Sequence, residues 1–284
     1  MELELIKRVG IAAAYKAGKV LRSHYGRISR IDKKGGIDLV TEADIESEKV
    51  IIDTLQKAFP NHTILAEESG LNSGESGHKW IIDPLDGTTN FSHQLGIFSV
   101  SIAFALNDQT VFGVVLNPET RELFTAVKGK GAFLNSRPIR VSNSPSVSES
   151  LLVTGFPYNL KDIFEPLQTR FSNCLKASQG VRRLGSAAID LCFLACGRFD
   201  GFWEQNLKPW DTAAAELIAR EAGAVVTDFS NKPYTIDKKE ILATNGKIHK
   251  EMLLFELLCS ILDNKLCFQP MSWVQRFTVQ RFKS

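Results

Sequence analysis

Apolar side chains recur at helical spacing over residues 3–25, where Ile6, Ala13, Ala17, Val20 and Leu21 share one side and predict an amphipathic helix. Gly10, Ala14 and Gly18 recur every four residues along it. Small side chains at that spacing either admit a closely packed neighbour or simply weaken the helix. Thr41-Glu42-Ala43-Asp44 opens a second helix, with Thr41 as its cap and Asp44 at the position of a capping-box acid. Ile45, Ile52, Leu55 and Phe59 form the expected core face, and Pro60 ends the run. Between the two helices, Lys33-Lys34-Gly35-Gly36 reads as a mobile basic turn, either closing over an anion or simply solvated.

The pattern then shifts to short apolar runs. Residues 62–66 read as a strand leading into Glu67-Glu68-Ser69-Gly70, and residues 71–79 as a loop. Trp80-Ile81-Ile82 reads as a buried strand that runs into Asp83 and Asp86, with the Gly87-Thr88-Thr89 turn as its end. Residues 97–106, 111–116 and 123–127 form a meander, so an antiparallel or mixed sheet is expected. The Ser-rich stretch 143–150 reads as a linker. Beyond it, strands are expected at 151–156, 200–204, 225–227 and 241–244. Helices are expected at 162–175, from Ser186 to about Cys196, at 212–222 and at 247–258. This divides the chain into an N-terminal half (1–145), a C-terminal half (146–260) and a tail (261–284). The tail mixes basic and aromatic residues and reads as packing on its own domain or on a twin subunit.

Composition narrows the class. The 284 residues are 44% hydrophobic and 23% charged, values of a globular chain with a sizeable core. A net charge of +2 gives no strong sign of nucleic-acid or membrane binding. No apolar run is long enough to span a bilayer, and Glu2 and Glu4 stand where a signal sequence would be apolar. Five cysteines without a Cys-x-x-Cys pair fit free thiols in a reducing cytoplasm, with Cys192 and Cys196 sharing a helix face.

The chemistry concentrates in Trp80-Ile81-Ile82-Asp83-Pro84-Leu85-Asp86-Gly87-Thr88-Thr89-Asn90-Phe91. Asp83 and Asp86 sit together where a buried strand runs out, a usual ligand position in α/β folds. Two carboxylates so close repel unless a cation separates them, and Mg²⁺ suits an oxygen-only donor set. The amides from Gly87 onward suit a phosphate. Carboxylates for metal beside amides for phosphate point to metal-assisted phosphoryl transfer to water. Either aspartate alone is ordinary turn chemistry; the full string is not. Asp44 serves equally well as helix start or as active-site neighbour, and Asp211 as helix start or as cleft carboxylate.

Ala66-Glu67-Glu68-Ser69, Asp83 to Phe91, and Trp210-Asp211-Thr212-Ala213-Ala214-Ala215-Glu216 together carry a resemblance to the inositol monophosphatase family, in its bacterial branch. The likeness extends over roughly residues 1–260. It implies a layered αβαβα sandwich, usually a homodimer, and a Mg²⁺-dependent, Li⁺-sensitive phosphoric monoester hydrolase. By resemblance Glu67 and Asp83 hold one Mg²⁺ with the main-chain oxygen of Leu85. Asp83, Asp86 and Asp211 hold a second, and Glu67 reaches a third through waters. One ion acidifies the attacking water and another steadies the leaving alkoxide. Thr88, paired with Asp44 or Glu67, orients or deprotonates that water. Gly87, Thr88 and Thr89 bind the phosphate; Gly185, Ser186, Ala187 and Glu204 line the alcohol side, and Lys33 matches a loop lysine near the metals. Arg183 departs from the animal enzymes, which carry a small polar residue there, and an added guanidinium would favour a second anion on the substrate. The tail also departs. The expected substrate is a small phosphorylated polyol, sugar or nucleotide, with inositol 1-phosphate first. Its rivals are fructose 1,6-bisphosphate, NADP, 3′-phosphoadenosine 5′-phosphate and histidinol phosphate. A regulatory binding protein that keeps the fold is the alternative of another class.

Overall fold

The computed structural model describes residues 2–27, 31–33 (backbone), 39–74, 77–157, 160 and 163–254. The side chain of Lys33, residues 34–38, the expected helix end at 255–258 and the tail lie outside the described residues.

The first half contains α1 (Glu2–His24), β1 (Ile31–Lys33), β2 (Leu39–Thr41), α2 (Glu42–Ala58), β3 (Thr63–Ala66), β4 (Gly70–Asn72), β5 (His78–Asp86) and α3 (Thr88–Ser92). The meander β6 (Ser99–Leu106), β7 (Gln109–Asn117), β8 (Glu122–Val127), β9 (Ala132–Leu134) and β10 (Arg137–Ile139) follows. Then come β11 (Leu151–Thr154), α4 (Phe164–Ala177), β12 (Gly180–Arg182), α5 (Ala187–Ala195), β13 (Gly201–Gln205), α6 (Pro209–Glu221), β14 (Val225–Thr227) and β15 (Glu240–Thr244).

An eight-stranded sheet has the order β10-β9-β8-β7-β6-β5-β3-β4, and a five-stranded sheet the order β12-β11-β13-β15-β14. The larger is antiparallel apart from the parallel pair β3–β5. In the smaller, β11 runs parallel to both neighbours, while β15 runs antiparallel to β13 and β14. Side chains alternate across β5, so Trp80 and Ile82 pack under α1 and α2 while Ile81 packs toward α5 and α6. That inner core is shared with Val153, Phe202 and Ala243 of the smaller sheet. Leu152, Trp203 and Leu242 cover the smaller sheet's outer face, against Cys174 of α4 and Met252 of a helix over 249–254. The five layers therefore alternate α, β, α, β, α.

The small residues of α1 admit the sheet. A Cβ on Gly10 would stand 2.6 Å from Phe112, and one on Gly18 would stand 2.9 Å from Leu116. Gly113 of β7 does the same for α6, since its Cβ would lie 2.7 Å from the Ala214 carbonyl oxygen.

Four local expectations are corrected. Ile45 is exposed, and Ile51 joins Leu55 and Phe59 in the core, because the buried stripe of α2 runs through Asp44, Ser47 and Glu48 instead. Residues 71–79 are not all loop: β4 takes in Leu71 and Asn72, and β5 begins at His78 and continues to Asp86 through a shift of register. Pro84 lacks the N–H that a ladder residue donates, which accounts for the shift. The stretch 143–150 is tied down: Val147 is fully buried, its N–H donates to Glu251, and the Ser144 hydroxyl donates to Asp200. Residues 180–182 form a strand beside β11, where no strand was expected.

Candidate active site

The end of β5 is shaped by hydrogen bonds to its own backbone. Asp83 Oδ1 accepts the Leu85 N–H at 3.0 Å, and the Ser47 hydroxyl of α2 donates to the Pro84 carbonyl at 2.9 Å. Gly87 then caps α3 with φ +93°, and a Cβ there would lie 3.0 Å from the Ile97 carbonyl oxygen. Only glycine suits such a turn. The Thr88 hydroxyl stands 3.1 Å from both Asp44 Oδ1 and the Leu85 carbonyl, two acceptors for one proton. Asp44 Oδ2 meanwhile accepts from the Thr41 N–H at 2.8 Å and hydroxyl at 2.6 Å, completing the capping box. Asp44 is thus helix start and neighbour of Thr88 at once.

The other acids arrive from separate elements. Glu67 follows β3, and its turn is fixed by the buried carboxylate of Glu48, which accepts the N–H groups of Glu68 (2.8 Å) and Ser69 (2.9 Å). Asp86 is gripped from the C-terminal half: its Oδ2 accepts the Ser186 hydroxyl at 2.5 Å and the Ala188 N–H at 2.9 Å, at the start of α5. Asp211 stands in the first turn of α6 and accepts the Lys208 N–H at 2.6 Å. The Asn90 side chain ties the halves together by donating to the carbonyls of Ile97 and Leu184, both at 2.7 Å.

Burial and mutual repulsion hold these carboxyls toward their protonated forms. Burial, then the charges of Glu67, Asp86 and Asp211, pushes Asp83 well above the carboxylate range. Burial raises Asp86 to about 6 against the opposing bonds from Ser186 and Ala188. Asp211 is raised to about 8, again chiefly by burial. Asp44 is raised to about 6 by burial, against its bonds to Thr41. Among the described residues, Lys208 is the cation that acts on Asp211, too little charge for the whole set, and the all-oxygen donors fit a hard divalent cation.

The set is wider than one ion's shell. Among the described residues, the trio with ligand atoms all within 4.8 Å is Glu2, His62 and His78, at the opposite end of β5. That trio fits an ion poorly. The imidazoles stack at 4.7 Å with an 8° interplanar angle, and His62 Nδ1 already accepts the Trp80 indole N–H at 3.1 Å. Imidazole lone pairs lie in the ring plane, so parallel rings do not converge on one cation.

One cavity of about 320 Å³ is lined by Glu67, Asp83, Leu85, Asp86, Gly87, Thr88, Arg183, Gly185, Ser186, Ala187, Glu204 and Asp211. Asp44 stands behind Thr88, while Thr89 sits in the first turn of α3 and does not line the cavity. Glu204 is buried and held above its ordinary range by that burial and by the charges of Asp211 and Asp86. Sequence reading missed Glu48, Asn90 and Asp190. Two of them had a signal: Glu48 is an acid on the core stripe of α2, and Asp190 an acid inside the apolar run Ala187-Ala188-Ile189-Asp190-Leu191-Cys192. Cys192 is buried and Cys196 half-buried, both as free thiols. No helix among the described residues is long and apolar enough to cross a membrane.

The sequence matches the inositol monophosphatase family over residues 2–262. It is 45% identical over 282 residues to the inositol-1-monophosphatase of Synechocystis sp., an alignment covering 99% of this chain and 94% of that one. The tail is therefore shared with that relative. It is also 45% identical over 249 residues to the Nus factor SuhB of Haemophilus influenzae, covering 86% of this chain and 93% of that one. The inositol monophosphatase structure from Anabaena (Nostoc) superposes with a TM-score of 0.83 at 39% identity, over 91% of this chain and 97% of that one. Sequence and layered architecture agree: the chain belongs to the inositol monophosphatase family.

Proposed function

We propose that the protein hydrolyses a phosphate monoester of a small polyol, inositol 1-phosphate first, with Mg²⁺ held by Glu67, Asp83, Asp86, Asp211 and the Leu85 carbonyl. The observation that carries this reading is the convergence of those four acids, from three separate segments, on one cavity beside the Gly87–Thr88 turn. When bound, Mg²⁺ supplies positive charge that acidifies a water and offsets charge on the phosphate and leaving oxygen. The protein's own groups do the rest. Gly87 and Thr88, with Thr89 at the edge, hold the phosphate. The Thr88 hydroxyl, backed by Asp44, orients the attacking water and passes a proton toward Asp44 or Glu67. Gly185, Ser186, Ala187 and Glu204 face the alcohol. A Mg²⁺-dependent substrate panel tests this: inositol 1-phosphate should exceed fructose 1,6-bisphosphate, NADP, 3′-phosphoadenosine 5′-phosphate and histidinol phosphate in kcat/KM. A higher value for the bisphosphate would overturn the substrate choice and keep the chemistry.

The Nus factor name carried by SuhB relatives favours a second reading, in which the fold also acts as a regulatory binding protein. Asp86→Asn separates the two. A cellular phenotype that survives the loss of hydrolysis would make binding the function.

A further inference from the structure

One carboxylate on the cavity wall is unused by the hydrolytic scheme. Asp190, in α5, is fully buried and lines the cavity, and neither of its carboxylate oxygens has a hydrogen-bond partner. The start of α5 cannot supply one, since Asp86 takes the Ala188 N–H and the Ser186 hydroxyl takes that of Ile189. Its neighbours Ile189 and Leu191 are apolar and fully buried. A buried carboxylate without donors is among the costliest groups a fold can hold, and an apolar residue would remove that cost here. The orphaned oxygens are therefore met by something that enters the cavity.

The surroundings say what enters. Glu204 of β13 shares the wall and is buried too, and its carboxylate packs directly against Gly155, where a Cβ would crowd it. The cation that acts on both acids is Arg183, exposed at the rim of the same cavity. Two buried acids thus share this wall with one guanidinium. That count competes with the sequence expectation that Arg183 receives a second substrate anion. We infer, on the phosphatase reading above, that Asp190 is a specificity-determining residue: it accepts hydroxyl hydrogens from the alcohol half of the substrate. Arg183 is engaged in balancing Asp190 and Glu204, so the wall selects hydroxyl-rich alcohols and turns away a second phosphate.

The test compares wild type with Asp190→Asn in Mg²⁺, using inositol 1-phosphate, fructose 1,6-bisphosphate and p-nitrophenyl phosphate, whose alcohol offers no hydroxyls. The expected result is about a tenfold fall in the kcat/KM of inositol 1-phosphate relative to p-nitrophenyl phosphate, carried mainly by KM. The bisphosphate should gain relative to both, as Arg183 is released. Parallel changes for all three substrates would mark Asp190 as merely structural and overturn the inference. Wild type inactive on every ester would instead remove the phosphatase reading beneath it. Should Asp190→Asn fail to fold, Arg183→Ala at the exposed rim carries the test. It leaves the wall more negative, so phosphoethanolamine, with an ammonium and no second phosphate, should gain severalfold against p-nitrophenyl phosphate; an unchanged ratio overturns the inference.

Discussion

On the β5 side of the cavity, Asp83, Asp86, Asp211 and Asp44 are each held by main-chain or hydroxyl donors before any ligand arrives. On the α5–β13 side, Asp190 has no donor at all and faces a second buried acid, Glu204. On the function proposed above, the first wall, held before any ligand arrives, handles the phosphate, and the second, left without donors, registers the alcohol, so the two tasks fall on opposite faces of one cavity.

The sharpest way to break this comparison is to remove charge from the prearranged wall. Asp83→Asn or Asp211→Asn should lower kcat by about 10³-fold, several kcal/mol of transition-state stabilisation, with an unchanged circular dichroism spectrum. Full activity in either variant would remove both acids from the metal set. Thr88→Ala should cost about 10²-fold in kcat, with Thr88→Ser recovering most of it, because the hydroxyl rather than the methyl is used. Equal losses in both variants would assign Thr88 a packing role.

A weaker effect concerns the join between the walls. Asn90→Ala leaves the half-buried Ile97 and Leu184 carbonyls without their donor and should lower stability by about 1–3 kcal/mol in urea unfolding. No loss would mean that water replaces the amide.

The smallest effect is in pH. Asp44 and Asp86 near 6 and Asp211 near 8 all lie above the ordinary 3.8, so the folded protein keeps protons that the unfolded chain has released. Their stabilising contribution is complete below about pH 4 and is lost as pH rises through 6 and then 8. In EDTA, Tm should therefore fall by roughly a few degrees between pH 5.5 and 8.5, and saturating Mg²⁺ should remove most of that fall. A Tm that rises with pH in EDTA would contradict the burial of these acids.

The prearranged wall was readable in the sequence because its residues stand in short unbroken strings around Asp83 and Asp211. The capping box at Thr41 and Asp44 was readable for the same reason, being a local pattern. The dual use of Asp44 was not, since Thr88 lies 44 residues away and meets it only after folding. Glu48 serves backbone groups 20 residues on, and Asn90 reaches 94 residues to Leu184, distances over which spacing says nothing. The strand 180–182 escaped because a three-residue parallel partner has no period of its own.

The grip of Ser186 and Ala188 on Asp86 also bears on how the protein is made. During synthesis the first large sheet is complete in sequence once β10 has been added, yet the clamp on Asp86 and the acid of α6 are still to come. The candidate site is therefore incomplete in any nascent chain until the ribosome has passed residue 211.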